Sequence, residues 1–252
     1  MKRAAILIVM MLCTTVAMAG PMWMFNWAGV EAPTDYLHYW NPASLSEDDQ
    51  ADGLDATSPN FNPTTNGWEM GTTDNNYVLC GGYITNGTSY TMTVWIKPDI
   101  TAMNLNANGG WIVSDRGKAT DYDFQLYYTK STSLFKVAVF DASSAANTDG
   151  IGVDGTHDVW THLAAVVDST AETLTMYTNA VSDGSSALTI TPNDSWRGSG
   201  IYTDTTIGAS FGTLINPAYK YHGSIGKTRF YNRALSQAEL KAEMVADGNT
   251  GP

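Results

Sequence analysis

Leu134-Phe135-Lys136-Val137-Ala138-Val139-Phe140 is an alternating run: in an extended chain Phe135, Val137 and Val139 share one face and Lys136 lies on the other. A period of two over a β-branched and aromatic stretch marks a half-buried strand. Thr91-Met92-Thr93-Val94-Trp95-Ile96 behaves the same way, with Met92, Val94 and Ile96 on one face and the threonines and Trp95 opposite. Outward from these two runs, similar short segments recur between Gly, Asn and Asp clusters. They are Asn76–Cys80, Tyr90–Lys97, Trp111–Ser114, Phe124–Thr129, Leu134–Phe140, Thr161–Asp168, Leu174–Thr178, Thr205–Gly208 and Lys227–Tyr231, and Tyr36–Trp40 adds one more. About ten strands with one apolar face and no βα alternation predict an all-β protein built as a two-sheet antiparallel sandwich. One short helix closes the chain. Ser236 and Glu239 form a capping box, Leu240, Met244 and Val245 supply its buried stripe, and Gly248 its left-handed stop.

The 252 residues carry 13 Lys+Arg against 25 Asp+Glu, a formal charge of −12. Such a chain repels polyphosphate and anionic membrane surfaces, which removes nucleic-acid binding from consideration. Charged residues are only 15% of the total, so the polar surface rests on Ser, Thr, Asn and Gly.

The first nineteen residues read as a secretory signal peptide: Lys2 and Arg3, then the apolar Ala4–Val16, then Ala17-Met18-Ala19 as the cleavage site. The apolar run is shorter than the ~20 residues of a spanning helix, and no later segment could cross a bilayer. The expected product is therefore extracytoplasmic: secreted, periplasmic or on the cell surface. Cleavage leaves Cys80 as the one cysteine, ending the apolar run Tyr77-Val78-Leu79, which suits a buried inert thiol. Residues 20–70 are expected to be an irregular N-terminal segment with the strand at 36–40, residues 71–248 the sandwich, and residues 249–252 a tail.

Three segments resemble one family. Trp160-Thr161-His162-Leu163-Ala164-Ala165-Val166-Val167-Asp168 resembles the "W-x-H-x-A-x-V-x-D" strand of laminin-G-like, concanavalin A-type domains. Gly223-Ser224-Ile225-Gly226-Lys227-Thr228-Arg229-Phe230-Tyr231-Asn232-Arg233-Ala234-Leu235-Ser236 resembles their closing strand, and Thr93-Val94-Trp95-Ile96-Lys97-Pro98 their "S-x-W-I-K-P" strand. The resemblance runs from about Tyr36 to Met244. It implies a jelly-roll of two curved sheets used for carbohydrate or protein recognition outside the cell. One departure stands out: where the family often has "Y-V-D-G", this chain has Tyr177-Thr178-Asn179-Ala180, so that hairpin is built differently.

Enzymes share this fold, and a retaining glycosidase needs two carboxylates ~5 Å apart. Members of that kind look like Glu-x-Asp-x-x-Glu on one strand, and no such string occurs among the six scattered glutamates. The chain therefore reads as non-catalytic. His38, His157, His162 and His222 show no zinc-ligand spacing. Calcium is implied only by the resemblance, because family members often hold one Ca²⁺ at the rim through acidic residues on two loops. The matching places are Asp121 and Asp123, before the Phe124 strand, and Asp204, before the Thr205 strand; the same aspartates could equally cap turns.

A flat aromatic ring offers CH–π and apolar contact to a pyranose. Trp40, Trp95 and Trp160 lie in strands and are expected in the core. Trp196, Arg197, Tyr202, Tyr219 and Tyr221 fall in polar segments bearing Gly or Pro and are the favoured glycan-binding candidates, with Trp111 a lesser one. The expectation is an exported, non-catalytic recognition module that binds glycan, to which the resemblance alone would add one structural calcium. A structural or adhesive module for an extracellular protein, using Met22–Trp27 as a donor strand, is the alternative. A polysaccharide-active enzyme with an unfamiliar site is the third.

Overall fold

The computed structural model describes residues 30–42, 56–57, 63–64, 67–70, 77–80, 89–106, 109–115, 124–141, 146–148, 152–192, 205–209 and 220–249. The described elements begin with β1 (His38–Trp40), β2 (Ala56–Thr57), β3 (Pro63–Thr64), β4 (Gly67–Met70) and β5 (Val78–Cys80). After β6 (Tyr90–Pro98) comes a four-residue helix, α1 (Ile100–Met103), and then β7 (Gly110–Asp115), β8 (Phe124–Thr129), β9 (Leu134–Phe140) and β10 (Ala146–Thr148). The chain continues through β11 (Thr161–Asp168), β12 (Thr173–Thr178), β13 (Val181–Ala187), β14 (Thr205–Ile207) and β15 (Gly223–Tyr231) to α2 (Gln237–Ala246).

These strands form two antiparallel sheets. The first runs β13-β12-β11-β6-β15-β4-β3, with β1 also on β15, and the second runs β10-β9-β8-β7-β14-β5-β2. One edge of β15 is shared: Gly223–Ile225 pair with β4 and Thr228–Phe230 with β1. The inner faces meet in one apolar core. Met92, Val94 and Ile96 of β6 and Phe135, Val137 and Val139 of β9 lie in it, as their alternation requires. Cys80 is fully buried there, as are Trp40 and, on β4, Trp68; Trp95 is buried on the opposite face of β6 and Trp160 only partly.

The outward face of the first sheet is covered by α2. Its capping box forms as the sequence predicts, with Ser236 accepting from the Glu239 amide. Gly248 (φ 77°) closes the other end, where the Asn249 amide donates to Met244 O and the Gly248 amide to Val245 O. The buried stripe is a correction to the sequence expectation. Leu240 is buried and Met244 partly so, but Val245 is 60% exposed and Glu243 faces inward. The reason is that the outward side chains of β6, β11 and β15 are hydrogen-bond donors. Glu243 accepts from Thr93 (2.6 Å), Arg229 (3.0 Å) and Tyr231 (2.5 Å), and its Oε1 lies 3.2 Å from His162 Nε2. Asp247 takes both Arg229 guanidinium nitrogens (2.8 and 2.7 Å) and the Trp95 indole N–H (2.9 Å), and Lys227 Nζ lies 3.1 Å from it.

Burial pushes Glu243 upward, but hydrogen bonds and the Arg229 charge outweigh it and hold the carboxyl below its ordinary range. Asp247 is likewise pushed up by burial and held below its ordinary range by Arg229, Trp95 and Lys227. A carboxyl lowered in the folded state stabilises the protein above its unfolded pKa and loses that contribution as pH falls through the folded value. Urea midpoints are thus expected to be flat at neutral pH and to drop below about pH 4. A midpoint that holds constant down to about pH 2 would contradict this origin of acid sensitivity.

Helix α1 is an element the sequence did not predict, and the 177–180 hairpin has a turn of its own. Helix α1 is too short to show periodicity and is fixed by Asp99, whose side chain accepts from the Ala102 amide (2.9 Å). The Tyr177-Thr178-Asn179-Ala180 hairpin leads into β13 through two left-handed residues, Asn179 (φ 51°) and Ala180 (φ 57°), the backbone of a type I′ turn.

Candidate functional site

On the second sheet, alternation sends Phe124, Leu126 and Tyr128 of β8 into the core and leaves Gln125 and Tyr127 on the outer face. In β7 strict alternation would put Trp111 and Ser114 on opposite faces. A register irregularity between Trp111 and Val113 changes that parity: Ile112 and Val113 are both core residues, while Trp111 pairs with Tyr127 and Ser114 with Gln125. Tyr127 in turn pairs with Lys136 of β9. Trp111, Tyr127 and Lys136 therefore form one row across three strands.

The two rings are stacked, with centroids 5.5 Å apart and planes 17° from parallel. All three side chains are partly exposed, whereas Ser114, Gln125, Ala138 and Thr206 in the next row are buried. The row with the rings is thus a partly exposed part of this face. At its inner boundary the Ser114 hydroxyl has no hydrogen-bond partner among the described residues. Lys136 forms no ion pair among the described residues, in a chain of charge −12.

The position of Trp111 is set by the two glycines before it. Gly109 (φ 100°) lies against the carbonyl of Tyr128, and a Cβ on Gly110 would come 2.7 Å from Lys220 O. Asn106 ties these strands together by donating to both Gly109 O (3.1 Å) and Lys220 O (2.9 Å). Tyr128, fully buried, donates to Asn104 Oδ1 (2.9 Å).

Among the sequence candidates, Trp111 is brought into this row. Tyr221 is not: it is fully buried in the core and donates to Ser224 O, so its ring offers no face to a ligand, and burial pushes its hydroxyl well up. Trp196, Arg197, Tyr202 and Tyr219 lie outside the described residues, as do Asp121, Asp123 and Asp204 and the Met22–Trp27 segment. The strands that Asp123 and Asp204 precede flank the same end of β7, since Phe124 pairs with Asp115 and Thr206 with Ser114. Among the described residues no three His, Cys, Asp or Glu side chains come together as a metal site. Sequence reading passed over Tyr127 and Lys136 as site residues, although alternation alone marks both as outward-facing.

A two-sheet antiparallel jelly-roll with a closing helix is the architecture of one large group of proteins. The Laminin_G_3 profile, described as the concanavalin A-like lectin/glucanases superfamily, matches residues 70–241. The chain belongs to this family. This laminin-G-type chain is similar to domain 4 of AbnA, a GH43 extracellular arabinanase from Geobacillus stearothermophilus, solved in complex with arabinotriose. The TM-score is 0.59 at 13% identity, covering 82% of this chain and 97% of that one. It is also similar to the ligand binding domain of botulinum neurotoxin serotype D in complex with N-acetylneuraminic acid, with TM-score 0.61 and 11% identity over 85% of this chain and 51% of that one. The serotype G binding domain gives 0.59 and 14%, over 84% and 51%. The laminin-G-type chain thus spans about half the length of the toxin domains, and the likeness is one of fold. No curated protein matches it by sequence.

Proposed function

We propose that this protein is an exported, non-catalytic recognition module that binds glycan on the outer face of its second sheet. The stacked Trp111–Tyr127 pair carries the reading, because apolar ring faces beside polar groups are what a pyranose needs. Lys136, partly exposed in the same row, supplies the polar group beside the rings. Two proteins of the same fold are described with sugar ligands, arabinotriose and N-acetylneuraminic acid. The lack of a Glu-x-Asp-x-x-Glu strand supports binding without hydrolysis, and residues 1–19 support export.

The test is a glycan array with the mature chain and the variants Trp111→Ala and Tyr127→Ala. Binding is expected to weaken at least about tenfold in both, since each removes half of the stacked surface. Undiminished binding by both variants would move the site elsewhere, and a silent array would favour an extracellular protein partner. We further propose one rim calcium held by Asp121, Asp123 and Asp204, where hard oxygen ligands suit that ion. It predicts that excess chelator lowers the melting temperature, and an unchanged melt would discard the ion.

A further inference from the structure

Resting on the glycan reading, we infer that the Trp111–Tyr127–Lys136 row selects anionic sugars, those bearing a carboxylate or sulfate, over their neutral parents. Lys136 pairs directly with Tyr127 across the β8–β9 ladder, and Tyr127 with Trp111. Directly opposed residues in an antiparallel ladder have Cβ atoms about 5 Å apart, so the lysine stem borders the ring pair. A pyranose on the rings then presents its substituents within reach of the ammonium.

Among the described residues that ammonium is not used by the fold. Lys97 and Lys227, by contrast, serve the protein itself: Lys97 meets Asp158 at 3.0 Å and Lys227 meets Asp247 at 3.1 Å. Among the described residues Lys136 has no carboxylate paired with it. Asp154, on the segment whose Val153 bridges to Phe135, is exposed and forms no ion pair with Lys136. A cation with no ion pair among the described residues, on a partly buried aromatic face, is locally complementary to an anionic ligand even though the chain as a whole is acidic.

The experiment measures affinities for matched pairs, such as a glucuronate-, sialate- or sulfate-bearing oligosaccharide and its neutral parent. Wild type, Lys136→Met, Lys136→Arg and Trp111→Ala are compared. Wild type is expected to prefer the anionic member of a pair by about tenfold at low salt, with the preference shrinking as ionic strength rises. Lys136→Met should bring the ratio to about one, and Lys136→Arg should keep it. The carboxylate and sulfate arms show which anion the row takes. Equal affinity for both members in the wild type, or a ratio unchanged in Lys136→Met, overturns the inference while Trp111-dependent binding leaves the glycan reading standing. No binding to any glycan overturns that reading, and this inference falls with it.

Discussion

Arg229→Met is expected to lower the unfolding free energy by about 3–5 kcal/mol, the cost of leaving buried charge without its partner. Glu243 and Asp247 are 1% and 7% exposed, and Arg229 contacts both. Methionine retains most of the stem, so cavity formation adds little and the loss reports the charge. Lys227 still reaches Asp247, but Glu243 keeps only uncharged donors and His162. Against a typical total stability of about 5–15 kcal/mol, this is a large share. Urea unfolding at neutral pH gives the number. The gap to wild type should narrow below about pH 4, where the carboxyls take up protons and no longer need the guanidinium. A loss under about 1 kcal/mol would mean that α2 is held by its apolar contacts alone.

Gly109→Ala is the second large effect, expected at about 2–4 kcal/mol. Two independent costs combine. The position has φ 100°, where an L side chain is strained, and the added methyl overlaps the Tyr128 carbonyl. Neither side can retreat easily, because Asn106 fixes Gly109 O and Tyr128 is itself bonded to Asn104. Trp111 is two residues on, so glycan binding should fall together with the melting temperature. Gly109→Ala that melts like wild type would show the 104–110 segment to be far more yielding than its hydrogen bonds imply.

Much of the sandwich can be read directly from periodicity. Phe124–Thr129, Leu134–Phe140 and Thr161–Asp168 have the same ends in sequence and structure, because each is buried on one face at least and bounded by turn residues. Strand β13 shows no such pattern: Val181-Ser182-Asp183-Gly184-Ser185-Ser186-Ala187 sits at a sheet edge with most of its residues exposed, so nothing in it alternates. Strand β4 lies within the segment expected to be irregular, although Trp68 is fully buried. The inward Glu243 was hidden for another reason. Hydrophobicity marks an apolar stripe, and a buried acid becomes intelligible only once Thr93, Arg229 and Tyr231 from two different strands are known to face it.

The site was half legible for a related reason. An aromatic at position 111 can be seen in the sequence, and Tyr127 and Lys136 can be assigned to a face. Which residues stand opposite one another depends on pairing register, and here on an irregularity at Ile112 that alternation does not announce. Tyr221 misled because the Gly- and Pro-bearing sequence near it suggests a surface, while its backbone lies beside Gly110 and its ring fills the core.

The shared edge of β15 also dictates an order of events. The strand that holds β1, β4 and β6 together in the first sheet is the last strand described, so residues 38–40, 67–70 and 90–98 meet in one sheet only once residues 223–231 are present. Contacts of such long sequence separation are slow to form, since the loop entropy is spent before the pairing is gained. Until Tyr231 has emerged from the ribosome the first sheet lacks its middle. The β6-β11-β12-β13 ladders can form before then, and the closing strand and its capped helix act as the clasp that joins them to β1 and β4.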